Sequence, residues 1–312
     1  MSLFDSPAGL EGGCRVALLV AYDGTNFVGF AEQPERRTVA GVLKEAIAKI
    51  AGAEVEVVCA GRTDAGVHAF GQVVHFDLPS PKVGPERLVR SVNKMLGPEV
   101  VVRGAWRVPK DFDARRSALW RRYRYLVNNS PLPHPLASRI SWWVPGELDL
   151  PAMRTAWSAL IGVYDFQAFC RRQRGEHSST VREVLDASIE VAGDGAGRAR
   201  PLRPGDGLGM IVFWIKATSF CQQMVRSLVF AMVAVGRGKL TPAEVRAILL
   251  APPGRVVPPA PPQGLCLVGV GYGPHAPGGL AGEASLTGRA ADAQLCGYCF
   301  GTGADEVGAR PV

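Results

Sequence analysis

Residues 220–235, FCQQMVRSLVFAMVAV, are apolar on nearly every side of a helical projection. A helix without a water-facing stripe must be enclosed by other layers of structure. The chain therefore has to build a fold thick enough to surround one helix, and 312 residues with 47% apolar content supply the material. Gly236 follows the run and is placed to end it in a left-handed conformation. One charge lies inside: Arg226 sits among Met224, Val225, Leu228, Val229 and Phe230. A guanidinium in that setting needs a partner, because an unpaired buried charge costs several kcal/mol. A carboxylate, a bound phosphate or a path to solvent along its own stem would each satisfy it.

Shorter segments frame this helix. Arg15 to Tyr22 is a buried strand entering the Asp23-Gly24 turn. Val39, Val42, Leu43, Ala46, Ile47 and Ile50 recur at helical spacing, with Thr38 placed to cap them. Val55 to Cys59 and Gln72 to Phe76 are short strands, Glu86 to Leu96 a helix, and Glu99 to Val108 a strand. In the second half, Tyr123 to Val127, Val184 to Val191, Met210 to Thr218 and Leu265 to Val270 are strands, and Leu150 to Leu160 is a helix. Thr241-Pro242-Ala243-Glu244 is a capping box opening another helix. Strands and helices mix without strict βαβ alternation. The expected fold class is α+β: two similar halves of antiparallel sheet, with helices packed on one side and the active-site cleft between the halves. The expected organisation is a flexible N-terminus (1–14), an N-terminal domain (15–108), a C-terminal domain (109–274) and a disordered Gly/Ala-rich tail (275–312).

Net charge is +7. Residues 275–312 hold two basic and four acidic groups, a net −2, so residues 1–274 carry +9. The positive charge belongs to the folded part. That suits a polyanionic partner such as nucleic acid, and equally a soluble enzyme that is simply basic. Seven scattered cysteines suggest no disulfide framework. Cys296 and Cys299 form a lone C-x-x-C, half of a zinc site at most, and His275 is too distant to complete it. The longest apolar run, Leu228 to Val235, is far short of a membrane span, and no signal peptide pattern opens the chain. A cytoplasmic location and no membrane partner are expected.

Gly61 to His68 is the most unusual stretch, with Arg62, Asp64 and His68 packed between glycines after a strand. Two glycines permit a tight loop with positive φ, and an aspartate in such a loop can be aimed into a cleft. It can equally cap its own turn through an Asx hydrogen bond. Tyr123, on a strand among Arg121, Arg122 and Arg124, suits stacking on a flipped pyrimidine amid phosphates, or ordinary core packing with arginines outside.

The segment GRTDAGVHAFGQVVHF, residues 61–76, resembles the signature of the TruA-type tRNA pseudouridine synthases. The resemblance continues through Tyr22-Asp23-Gly24-Thr25, Phe112-Asp113-Ala114-Arg115, Arg121 to Tyr125, Asp165-Phe166, Phe220 with Met224-Val225-Arg226, and Gly264-Leu265. It departs at Gly29-Phe30-Ala31, where the family usually has Gly-Trp-Gln, and at the extra Gly97 before Pro98.

The resemblance implies cofactor-free isomerisation of uridine to pseudouridine in the anticodon stem-loop of tRNA, at the family's target nucleotides 38 to 40. The bond from ribose C1′ to base N1 breaks, the base turns, and C1′ joins C5. The catalytic carboxylate would be Asp64, as nucleophile at C1′ or base at C2′; the sequence leaves both open. Tyr123 would stack on the base or shuttle the C5 proton, and Arg226 would pair with Asp64. Arg62, His68, Gln72, Arg115 and Arg182 are the further substrate-binding candidates, with Arg171, Arg172 and Arg174 adding basic lining. A homodimer binding one stem-loop across both subunits is also implied. The other functional class is a non-catalytic tRNA-binding protein or chaperone using the same basic cleft.

Overall fold

The computed structural model describes residues 12–171, 179–192, 209–250, 256–273 and 282–283. β1 (Cys14–Tyr22) leads to α1 (Val39–Ala51), and β2 (Val58–Cys59) to β3 (His68–Leu78). α2 (Pro85–Leu96) and β4 (Val100–Val108) complete the first half. The second half holds β5 (Ala118–Asn128), β6 (Trp142–Trp143), α3 (Leu150–Ser158), β7 (Gly162–Asp165), β8 (Val181–Ala192) and β9 (Met210–Ala217). α4 (Met224–Gly236), α5 (Pro242–Leu250), β10 (Leu265–Tyr272) and β11 (Gly282–Glu283) follow. The fold is α+β, as expected.

The long strands form one sheet in the order β4-β1-β3-β10-β5-β9-β8-β7. Neighbours along this path are antiparallel except β3 and β10, which are parallel. β10 thus comes from the end of the second half to join the two halves into a single sheet. At the seam His68 faces Cys266 and Ala69 faces Leu267, so the signature segment itself starts the strand that is joined. Gln72 to Phe76 is only the middle of that strand.

One core cluster holds buried side chains from all five helices, among them Leu43, Leu88, Met153, Leu228 and Leu249. The opposite sheet face carries a separate small cluster of Leu126, Val212, Trp214, Cys266 and Val268, with Phe70 packed on it. Local chemistry sets the helix ends. Thr38 Oγ1 accepts from the Gly41 N–H at 3.2 Å to cap α1, and Thr241 and Glu244 exchange the two capping-box hydrogen bonds before α5. Among the described residues no helix is long and apolar enough to cross a membrane.

Two expectations for the enclosed helix are corrected. It begins at Met224, not Phe220, because Gln223 adopts a left-handed φ of 63° that no helix interior accepts. Residues 220–223 instead turn, which carries Phe220 out to the site. Nor does Gly236 terminate the helix. It is the last helical residue, packed so that an added Cβ would lie 2.5 Å from Met153 Sδ, while Gly238, at φ 67°, takes the left-handed position. Phe220 aside, the run behaves as its composition demands: Met224, Leu228, Val229, Ala231 and Met232 are fully buried.

The start of β10 approaches β5 closely. A Cβ on Gly264 would sit 2.5 Å from the ring of Tyr125, itself fully buried with its hydroxyl donating to the Pro261 carbonyl at 2.7 Å. A rigid aromatic cannot give way as a side-chain tip can. Gly264→Ala is expected to destabilise the chain by about 1–3 kcal/mol, read as a lowered midpoint in urea unfolding. An unchanged midpoint would show that the seam is looser than this contact implies.

Candidate active site

The loop 60–67, between β2 and β3, is held at both ends and in its middle. Ala60 N–H donates to the Val73 carbonyl at 2.8 Å, Phe30 N–H to Thr63 O at 3.0 Å, and Gly66 N–H to Phe27 O at 3.2 Å. Gly24 lies so near Val67 that a Cβ there would collide with its carbonyl. Of the two glycines expected to bend the loop, Gly66 has the left-handed φ, 76°, and Gly61 does not. Beneath the loop, Tyr22 and Thr63 share a buried hydroxyl–hydroxyl bond of 2.8 Å. Gln72 Nε2 donates to the Gly61 carbonyl at 2.6 Å and more weakly to Tyr22 at 3.4 Å. These bonds fix the backbone on both sides of Asp64.

Asp64 does not cap its own turn; the turn closes through the backbone, Val67 N–H to Asp64 O at 3.2 Å. Its side chain points across the seam, where Arg226 Nη1 donates to Oδ2 at 2.9 Å. Arg226 lies in the first turn of α4 and gives its Nε to the Ala260 carbonyl at 2.7 Å, while Ala260 N–H returns a bond of 3.1 Å to Arg226 O. The guanidinium is therefore clamped at two atoms. Its side chain is 11% exposed and that of Asp64 is 24% exposed, so the pair is shielded by protein yet open on the carboxylate side. Asp64 Oδ1 accepts no hydrogen bond among the described residues.

Tyr123 is the third neighbour. It is 7% exposed, its ring meets Phe220 edge-to-face at 5.1 Å, and its hydroxyl makes no hydrogen bond among the described residues. Burial, and then the Asp64 carboxylate, raise its phenol well above the ordinary tyrosine range, so it stays protonated at neutral pH. The arginines around it do not serve it as expected. Strand alternation sends Arg122 and Arg124 to the other sheet face, over the rings of Trp214 and Phe70. Arg121 shares Tyr123's side but spends its guanidinium on the carbonyls of Ala60, Arg115, Ala118 and Thr218.

The remaining candidates divide. Arg62 and Arg115 are exposed, and their charges both act on the Cys59 thiol, which burial nonetheless pushes up to about 11. They thus flank the same spot beside the loop. Arg182, on β8, is half-buried; its Nη1 donates to the Val181 carbonyl at 2.6 Å and its Nε has no hydrogen-bond partner among the described residues. His68 and Gln72 are corrected. Gln72 is 0% exposed beneath the loop and cannot meet a ligand. His68 Nδ1 accepts from Gly24 N–H at 3.0 Å and its Nε2 bonds the Arg139 carbonyl at 2.9 Å, so both ring nitrogens serve the protein. Arg171 is exposed, while Arg172, Arg174, His275, Cys296 and Cys299 lie outside the described residues. Among the described residues no group of three His, Cys, Asp or Glu side chains could hold a metal.

Residues 18–115 and 156–273 match the protein family described as tRNA pseudouridine synthase. This chain belongs to that family. The tRNA pseudouridine synthase A of Syntrophotalea carbinolica is 41% identical over 262 residues, which cover 83% of this chain and 97% of the relative. That of Cutibacterium acnes is 42% identical over 72% of this chain and 76% of its own, and that of Frankia casuarinae 40% over 89% and 95%. Within this pseudouridine synthase the matched stretches contain Arg62, Asp64 and Arg115 on one side and Arg182 and Arg226 on the other, with Tyr123 in the interval between them. The geometry around Asp64 also involves groups for which the sequence signalled no such part. The Ala260 carbonyl carries no side-chain signal at all. Tyr22 and Thr63 lay inside quoted motifs, and a glutamine at position 72 in an apolar strand was the visible sign of a buried polar bond.

The histidines behind the loop give the synthase a pH response. Burial lowers the pKa of both His68 and His75, Asp23 opposing it at His68. The unfolded chain then binds these protons more readily than the folded one. The stability they support is complete above the ordinary histidine value of 6.5 and is lost as pH falls below it. Thermal melting should move to lower temperature between about pH 7 and pH 5, and His75→Asn, which can still accept from Ala114 N–H, should flatten part of that slope. Melting that is independent of pH over this range would contradict neutral, buried imidazoles.

Proposed function

We propose that this chain converts uridine to pseudouridine in the anticodon stem-loop of tRNA, with Asp64, Tyr123 and Arg226 as the reacting and orienting groups. The observation that carries the reading is the Asp64–Arg226 contact of 2.9 Å, which occupies Oδ2 and leaves Oδ1 without a hydrogen bond among the described residues. A carboxylate held by one oxygen presents the other in a fixed direction.

In the nucleophilic form of the reaction, Oδ1 attacks ribose C1′ and the C1′–N1 bond pair leaves with the uracil. The base turns until C5 faces C1′, C5 displaces the carboxylate, and the C5 proton departs while N1 regains one. In the alternative form, the same oxygen removes the C2′ proton, and the C–H pair forms C1′=C2′ as the C1′–N1 pair leaves with the uracil. After the turn C2′ regains its proton from the carboxyl group while C5 bonds C1′, loses its proton, and N1 gains one. Both need a free carboxylate oxygen at the sugar, and both need the base to turn without leaving. In this reading the Tyr123 ring is a wall for that turn, and its protonated hydroxyl, which makes no hydrogen bond among the described residues, holds a uracil oxygen. Arg62, Arg115 and Arg182 take flanking phosphates. The halves 15–108 and 109–274 flank the substrate, the active form is a homodimer, and the enzyme works in the cytoplasm without a cofactor.

The assay is tritium release from tRNA carrying 5-³H-uridine. Wild type should release label, and Asp64→Ala should lower the rate by about a thousandfold or more while still binding tRNA. Wild type that binds tRNA tightly and releases no label would make the chain a tRNA-binding protein instead. Sedimentation of the free protein as a monomer would remove the homodimer.

A further inference from the structure

Outside the active site, the face formed by α1 and α2 carries a cluster of exposed cations. Between α1 and α2 runs an open groove of about 460 Å³, lined by Lys49, Ile50, Arg87, Ser91, Lys94 and Met95. The three cations are exposed, and none forms an ion pair among the described residues. Three other cations of this half are ion-paired, Arg15 with Asp77, Arg37 with Glu99, and Lys44 with Glu32 and Glu56; what sets Lys49, Arg87 and Lys94 apart is that they line one groove. Glu45 and Glu86 are on the same helices but contact none of the three within ion-pair distance. The helix spacing is regular: 87, 91, 94 and 95 fall on one side of α2, and 49 and 50 sit in the last turn of α1.

The groove is also placed in relation to Asp64. α1 starts against the catalytic loop, since Val39 N–H donates to Gly29 O at 3.2 Å and Phe30 N–H to Thr63 O at 3.0 Å. Lys49 is ten residues further on, about 15 Å along the helix axis at its standard rise. A long polyanion seated with one nucleotide at Asp64 would reach this groove with a neighbouring stretch of backbone.

We infer that the α1–α2 groove is a second contact for tRNA, in which Lys49, Arg87 and Lys94 bind phosphates away from the target nucleotide. The inference rests on the proposed tRNA substrate. Charge complementarity selects the occupant: three unpaired cations beside a hydroxyl, over an apolar floor of Ile50 and Met95 that suits sugar faces. The contact supplies affinity and register and takes no part in the chemistry.

The test is the combined variant Lys49→Ala, Arg87→Ala and Lys94→Ala, assayed by tritium release on full-length tRNA over a range of potassium chloride. Expected are a KM raised about tenfold near 0.1 M salt, an unchanged kcat, and a log KM against log salt slope reduced by about two to three. A control neutralising Arg237 and Lys239, exposed beyond α4, should keep the wild-type slope. A wild-type KM and slope in the groove variant overturn the inference. So does a raised KM with an unchanged slope, or an equal loss of slope in the control. If wild type itself releases no label, the proposed function fails, and the salt dependence of direct tRNA binding by the same variants still decides the groove. Equal melting temperatures confirm that the variants fold.

Discussion

The contact between Arg226 and Asp64 is made by residues 162 positions apart, and it links the enclosed helix, the β10 seam and the loop before β3. A guanidinium inside an apolar helix is acceptable only when its donors are used. Here Nε goes to Ala260, a main-chain atom just ahead of β10, and Nη1 goes to the loop before β3. The same β10 pairs with β3 in parallel and β5 in antiparallel fashion. The strand that joins the two halves of the sheet therefore begins beside the carbonyl that holds the arginine. The arginine in turn holds an aspartate supplied by the other half. Packing, sheet topology and site geometry are one structure, and a shift in the seam would be felt at the carboxylate.

The loop carrying Asp64 is equally over-determined. Backbone bonds to Val73, Phe27 and Phe30 set its path, and the Tyr22–Thr63 and Gln72–Gly61 bonds fix the residues on either side of the aspartate. Polar atoms are buried there, and each hydrogen bond strengthens in the low dielectric. The result is a carboxylate whose direction is set before any ligand arrives; in the proposed reaction that is the form of preorganisation that lowers a barrier rather than merely tightening binding.

Much of this was legible in the sequence, for physical reasons that can be named. A charge stranded in an apolar helix announces a need for a partner, and Thr241 to Glu244 announces a helix start. The partner's identity was not legible from periodicity, since nothing local links position 226 to position 64; it came from resemblance to a family. Strand alternation should have placed Arg122 and Arg124 on the face away from Tyr123. Arg121 obeys alternation but turns its guanidinium onto four carbonyls, which no pattern reveals. The left-handed Gln223 hid the true start of α4, because a non-glycine residue with positive φ has no composition signal. The cations of the α1–α2 groove were visible as residues, yet only packing of the two helices shows that they converge.

In the proposed reaction Arg226 acts by fixing Asp64, and Arg226→Lys separates that role from its charge. Lysine keeps the positive charge but cannot donate to Ala260 and Asp64 from two separate nitrogens in a fixed plane. Single-turnover formation of pseudouridine, measured together with tRNA affinity, separates orientation from binding. The expected result is a chemical step slowed by about a hundredfold with affinity for tRNA close to that of the wild type. A lysine variant that performs the step at the wild-type rate would show that the charge alone suffices and that the clamped geometry is not what the reaction requires.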